Sequence, residues 1–140
     1  MNILYHHRTQ AKGVEGVHIS EIVKALRDLG HNVDVVSPYG VNARDKETLQ
    51  RENSVKPNKI YTGISKFFPE FCFEILELLY NFKAAKLMRA LSKNKKYDLI
   101  YERYAIFNCS GVKFAKKHKI PIILEVNSLS GYFSLIIVFF

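Results

Sequence analysis

The sequence predicts an α/β fold, an open parallel sheet with helices on both faces. Three observations carry that expectation. Short apolar runs alternate with longer stretches of helical periodicity, the pattern of βαβ units. The runs are apolar nearly throughout, as strands buried on both faces must be. And 140 residues, 16.2 kDa, suit one ordinary domain and are too few for two.

Residues 2–5 form an apolar run at the N-terminus and read as the first strand. Residues 6–16 contain Gly13 and Gly16 and read as a loop. Val17, Ile19, Ile22, Val23, Leu26 and Leu29 then recur at helical spacing, and Gly30 follows where a left-handed cap is expected. Residues 32–37 read as the second strand, ended by Pro38 and Gly40. Residues 38–66 are polar and read as a mobile surface segment with a short helix around 45–53. A long helix is expected from 71 to about 91, with Ile75, Leu78, Leu79, Phe82 and Leu87 on a broad apolar face. Residues 97–102 are the third strand. Phe107, Gly111, Val112 and Ala115 mark a helix that runs to His118. Residues 120–126 are the fourth strand, with Pro121 at its start, where a missing donor is tolerated.

Right-handed crossovers put every strand-to-helix loop on one edge of such a sheet, the edge where open α/β sheets bind ligands. That selects residues 6–16, 37–40, 102–104 and 125–131. The first loop is the richest: His6, His7, Arg8, Gly13, Glu15, Gly16 and His18 fall within thirteen positions. Glycines admit close backbone approach, and the helix that follows offers free N–H groups and a partial positive charge. A phosphate or sugar near Gly16 is one reading and a plain connecting turn the other. The spacing G-x-x-G is neither a dinucleotide fingerprint nor a Walker loop. His6, His7, His18 and Glu15 can be drawn as a metal site. Adjacent histidines on a strand point to opposite sides, however, so no metal is expected, and no cofactor. Glu102 and Arg103 follow the third strand, and Glu125 and Asn127 end the fourth. A carboxylate there suits sugar hydroxyls or proton transfer; capping and ion pairing are the structural alternatives.

Composition narrows the function classes. A hydrophobic fraction of 48% and a charged fraction of 24% exclude wholesale disorder and collagen-like repeats. Two separated cysteines, Cys72 and Cys109, supply neither a zinc site nor a disulfide framework, which points to a reducing compartment. No signal peptide precedes the first strand, and no stretch reaches the roughly 18 apolar residues of a membrane span. The net charge of +8 suits an anionic partner: nucleic acid, acidic lipid or a phosphorylated small molecule. No zinc finger, helix-turn-helix or RNP-like pattern supports specific nucleic-acid binding. The lysines at 93–96 and 113–119 read as solvated helix ends. Together with Phe67, Phe68, Phe71 and Phe73 they also fit a peripheral contact with anionic membrane, against core packing of those aromatics.

Three blocks, in this order, resemble the N-terminal domain of family-4 glycosyltransferases. They are residues 2–37 (NILYHHRTQ, then GVEGVH, then ALRDLGHNVDVVS), 97–104 (YDLIYERY) and 120–127 (IPIILEVN). The resemblance implies a GT-B architecture of two Rossmann-like domains facing across a cleft. The N-terminal one would be the acceptor side, and the C-terminal one would bind a nucleotide-sugar donor. It implies hexosyl transfer with retention, without a required metal, to a glycan or lipid-linked acceptor in polysaccharide biosynthesis. The setting it implies is the cytoplasm, at the inner face of the membrane. By the same resemblance Gly13, Glu15, Gly16 and His18 approach the donor phosphates and sugar, and Arg8, Glu102, Arg103, Glu125 and Asn127 line the acceptor side.

The sequence departs from the family in three ways. The first-loop glycines are separated rather than adjacent. Asn127 stands where a histidine often ends the fourth strand. The donor domain does not follow. The expectation is therefore a Rossmann-like domain over 1–130 and an apolar tail over 131–140. The chain would be a truncated or frame-shifted product, or half of a split enzyme that acts with a separate donor-domain polypeptide. A non-enzymatic Rossmann-like module binding a phosphorylated or nucleotide ligand, or a partner subunit, is the alternative.

Overall fold

A computed structural model describes residues 1–9, 13–42, 70–127 and 133–140. In chain order these form β1 (Asn2–His6), α1 (Val14–Asp28), β2 (Asn32–Ser37), β3 (Gly40–Val41), α2 (Glu70–Ser92), β4 (Leu99–Arg103), α3 (Ser110–His118), β5 (Ile122–Asn127) and β6 (Phe133–Val138). One sheet holds all six strands in the order β3-β2-β1-β4-β5-β6. The four inner strands are parallel, as their apolar runs require: Ile3 pairs with Val33 and Leu99, and Ile100 with Ile122.

Helices cover both faces, and strand periodicity divides the core between them. On one face Ile3, Tyr5, Val33 and Tyr101 pack against Ile19 and Val23 of α1. On the other, Leu4, Val36, Ile100 and Ile122 pack against Ala84 and Met88 of α2 and Phe114 and Ala115 of α3. The fold is the Rossmann-like α/β sheet that the alternating pattern predicts.

The differences have local causes. The alternation of strands and helices does not foresee the two antiparallel edges. β3 folds back on β2, with Gly40 at φ 121 and Asn42 at φ 49, and the Asn42 side-chain oxygen accepts from the Val35 amide at 2.7 Å. β6 pairs antiparallel with β5 over its full length, Ile122 opposite Val138 and Asn127 opposite Phe133. Helix α1 starts three residues earlier than its apolar spacing suggests, because the Gly13 carbonyl accepts from both Gly16 and Val17 amides. Gly16 is thus inside the first helical turn rather than in the loop.

The long helix corrects one expectation. Ile75, Leu78, Leu79 and Phe82 are exposed, whereas the core takes Ala84 and Met88, with Tyr80, Leu87 and Leu91 packed beside them. The helix at 45–53 and the aromatics Phe67 and Phe68 lie outside the described residues. Behind the sheet, Asp34 accepts from Lys95 and from the Tyr97 hydroxyl, each at 2.7 Å. Burial raises the Asp34 carboxyl, but the bonds from Lys95, Tyr97 and Asn42 outweigh it and hold the group below its ordinary value.

Candidate functional site

β1, β4 and β5 are parallel and in register, so they end together at one edge of the sheet. Successive side chains leave a strand on opposite faces. The polar residues at these ends therefore sort into two groups. Tyr5, Tyr101, Arg103 and Glu125 face α1, and His6 and Glu102 face α2 and α3.

The α1-side group is the candidate site. Gly13, with φ 62 and ψ −142, occupies backbone space open to glycine and starts α1 at this edge. Its first two turns bring Glu15 and His18 down onto the strand ends. His18 Nε2 donates to Glu125 Oε1 at 3.2 Å. Arg103 lies between two carboxylates, with Nη1 at 3.7 Å from Glu125 and Nη2 at 3.9 Å from Glu15. Neither contact is as short as a hydrogen bond. Glu125 is fully buried, whereas the Glu15 and His18 side chains are 53% and 43% exposed.

Two phenols floor the cluster. The Tyr5 and Tyr101 rings stack at 5.1 Å and 11°, and the Tyr101 hydroxyl bonds to Glu125. Burial pushes both hydroxyls well above their ordinary value, and the Glu125 charge adds to the shift. Both stay protonated, and Tyr101 donates to Glu125. The Tyr5 hydroxyl is buried and makes no hydrogen bond among the described residues. The arrangement joins a fixed carboxylate, a guanidinium with donors to spare, an imidazole and the free amides of a helix start. Such a set binds hydroxyls and anions side by side.

The second group is a latch. The carboxyl oxygen Oε1 of Glu102 accepts from His6 Nδ1 at 2.8 Å and from Asn108 Nδ2 at 2.9 Å. The Tyr80 hydroxyl of α2 sits 3.2 Å from His6 Nε2. The Ser110 hydroxyl continues the chain to Asn108 Oδ1 at 3.0 Å. Glu102 itself rests on the first turn of α3, where a Cβ at Gly111 would meet its Cδ at 2.6 Å. A carboxylate at a helix start is favourable, and only a missing Cβ lets it come so close. Asn81 of α2 caps the same helix across space, its Oδ1 accepting from the Cys109 and Ser110 amides at 2.9 and 3.1 Å. Its Nδ2 donates to the carbonyl of Phe107, which holds φ 62.

Five of the nine residues singled out in the sequence thus gather at one end of α1: Gly13, Glu15, His18, Arg103 and Glu125. Gly16 lies in the same first turn. Arg8 is on the same edge, its Nη1 donating to the Ile106 carbonyl at 2.7 Å. Asn127 ends β5. Glu102 is on the opposite face and does not join the cluster. Tyr5 and Tyr101 were not foreseen as part of it; their signal is the stacked register of β1 against β4, which no local spacing reveals. Among the described residues no group of three or more His, Cys, Asp or Glu is placed to hold a metal ion. No helix among them is long and apolar enough to cross a membrane.

The family model of glycosyltransferase family 4 matches residues 13–136, from the start of α1 into β6. No curated protein matches the chain.

Proposed function

Because the chain belongs to glycosyltransferase family 4, we propose that it forms the acceptor-side half of a retaining enzyme that moves a hexosyl group from a nucleotide sugar to a glycan or lipid-linked acceptor. The family match supports a transferase role. The gathering of Glu15, His18, Arg103 and Glu125 at the α1 end of the sheet is the observation that carries the finer reading.

In this reading the buried Glu125 carboxylate holds His18 and Arg103 in place, and those two side chains meet the sugar hydroxyls. Glu15 is the exposed and weakly held partner of Arg103, so it can swing away and release the guanidinium to an incoming anion or hydroxyl. The first turn of α1 then offers its amides to donor phosphate. Departure of a nucleoside diphosphate needs donors from both walls of a cleft. A donor-binding domain therefore completes the site, in the same or a separate polypeptide. The setting is cytoplasmic, in the assembly of polysaccharide.

The test is transfer from radiolabelled uridine and guanosine diphosphate sugars to lipid and oligosaccharide acceptors. The purified chain alone is expected to form no labelled product. Product formed by this chain alone overturns the half-site reading.

A further inference from the structure

The two edges of the sheet differ. β3 has two residues, Gly40–Val41, and ends at Asn42 with φ 49. β6 has six, Phe133–Val138, about 20 Å of strand, and no described strand lies beyond it. Half of its backbone N–H and C=O groups point outward, because an antiparallel strand alternates them between its two sides. Natural edges are blunted by lysine, proline, a bulge or short length. β6 has none of these. Its sequence is FSLIIV, and its register on β5 runs unbroken from Ile122–Val138 to Asn127–Phe133. Leu135, Ile136 and Ile137 are each half-exposed.

Three observations select a second copy of this chain as the occupant of that edge. The chain carries a net charge of +8, so two copies repel except where neither is charged, and β6 is uncharged. An antiparallel strand is complementary to itself across a two-fold axis, so the same edge serves both partners. And β3 is too short to receive β6, so pairing closes at two copies instead of growing into a filament.

We propose that β6 pairs antiparallel with β6 of a second copy and joins two six-stranded sheets into one. Side chains directly opposite each other share a face, so the two-fold axis passes through a residue and not between two. With the axis at Ile136, Ile136 meets its own copy, Leu135 meets the second copy's Ile137, and Ser134 meets the second copy's Val138. Leu135 and Ile137 stand opposite Glu125 and Ile123 on the α1 face, so four large apolar side chains cluster across the seam there. The two Arg103–Glu125 clusters then lie on one face of the joined sheet, at opposite ends of its strands. A strand edge buries less than the roughly 800 Å² per partner of a standard interface, so a reversible dimer in the micromolar range is expected. The pairing rests on the sheet edge alone and stands or falls apart from sugar recognition.

The experiment is sedimentation velocity of the 140-residue chain from about 1 to 100 µM. A reversible shift from monomer to a species of twice 16.2 kDa is expected. Ile136→Lys sets two lysines against each other on the axis and should weaken association at least about tenfold, and Ile136→Glu should do the same with two carboxylates. An equimolar mixture of the two variants should regain the dimer through a Lys–Glu pair, which a misfolded variant could not do. Hydrogen exchange of the unsubstituted chain adds a second readout: amides within 134–138 should be protected at high concentration and not at low. Where circular dichroism shows a variant unfolded, the exchange result decides. A monomer throughout the range overturns the proposal, as does exchange in β6 that ignores concentration. So does association that Ile136→Lys leaves intact, or that continues to assemblies larger than two. Association lost in Phe82→Ser but kept in Ile136→Lys would assign the contact to α2. Failure of the folded variants to pair with each other overturns the axis at Ile136.

Discussion

Gly111→Ala is a one-methyl perturbation whose effect the packing of Glu102 fixes. The new Cβ would lie 2.6 Å from Glu102 Cδ and 2.8 Å from Oε1, well inside ordinary contact. Glu102 cannot simply turn aside, because His6 and Asn108 hold it and it is fully buried. Moving it sacrifices at least one bond to a charged group, about 1.5–3 kcal/mol, with overpacking of about 1 kcal/mol or more. Alanine's better helix propensity returns about 1 kcal/mol. The net loss is roughly 2 kcal/mol, since the methyl contributes little else. Urea unfolding followed by far-ultraviolet circular dichroism should show a midpoint about 1 M lower at unchanged slope. In a Glu102→Ala background the same glycine substitution should cost nothing, a coupling of at least about 1 kcal/mol. A Gly111→Ala variant as stable as the wild type would refute the latch.

Three further outcomes follow from particular contacts. Arg103→Ala leaves the fully buried Glu125 without its cation and should cost about 3 kcal/mol in urea unfolding, partly restored by Arg103→Lys. Asp34→Asn should cost about 1 kcal/mol at neutral pH. Because the folded carboxyl lies below its ordinary value, that contribution is present above about pH 4 and is lost as pH falls through the folded value. Urea midpoints of variant and wild type should therefore converge in acid. Lys119 caps α3 at φ 55, so Lys119→Gly should raise stability by about 0.5–1 kcal/mol, read as a higher melting temperature.

The parallel core was legible because the inner strands are apolar nearly throughout, with their charged residues few or at the ends, as a sheet covered on both faces requires. The site edge followed from crossover handedness, and it drew Arg103 and Glu125 together with the α1 start without any contact being known. Three things escaped. β6 has the composition of a strand, but nothing in Phe133–Val138 says which neighbour it pairs with or in which direction. Helix α2 carries large apolar side chains on two sides; periodicity points to the strip at Ile75, Leu78, Leu79 and Phe82, which is the outer one, while the core takes the smaller Ala84 with Met88 from the other side. Glu102 sits next to Arg103 in sequence but one step along a strand reverses the face, which separates a latch from a binding site. His6 of β1 and Tyr80 of α2 join that latch from far off in sequence, and Asn108 from the loop before α3, beyond any motif.

The most direct measurement is a two-dimensional amide NMR titration of the chain with uridine and guanosine diphosphate sugars and with neutral oligosaccharides. Shifts are expected at Val14–His18 and at the ends of β4 and β5 around Arg103 and Glu125, and they should vanish in Arg103→Ala. Shifts confined to α2 and α3, or none with any of these ligands, would contradict the assignment of this edge as the sugar-recognition site.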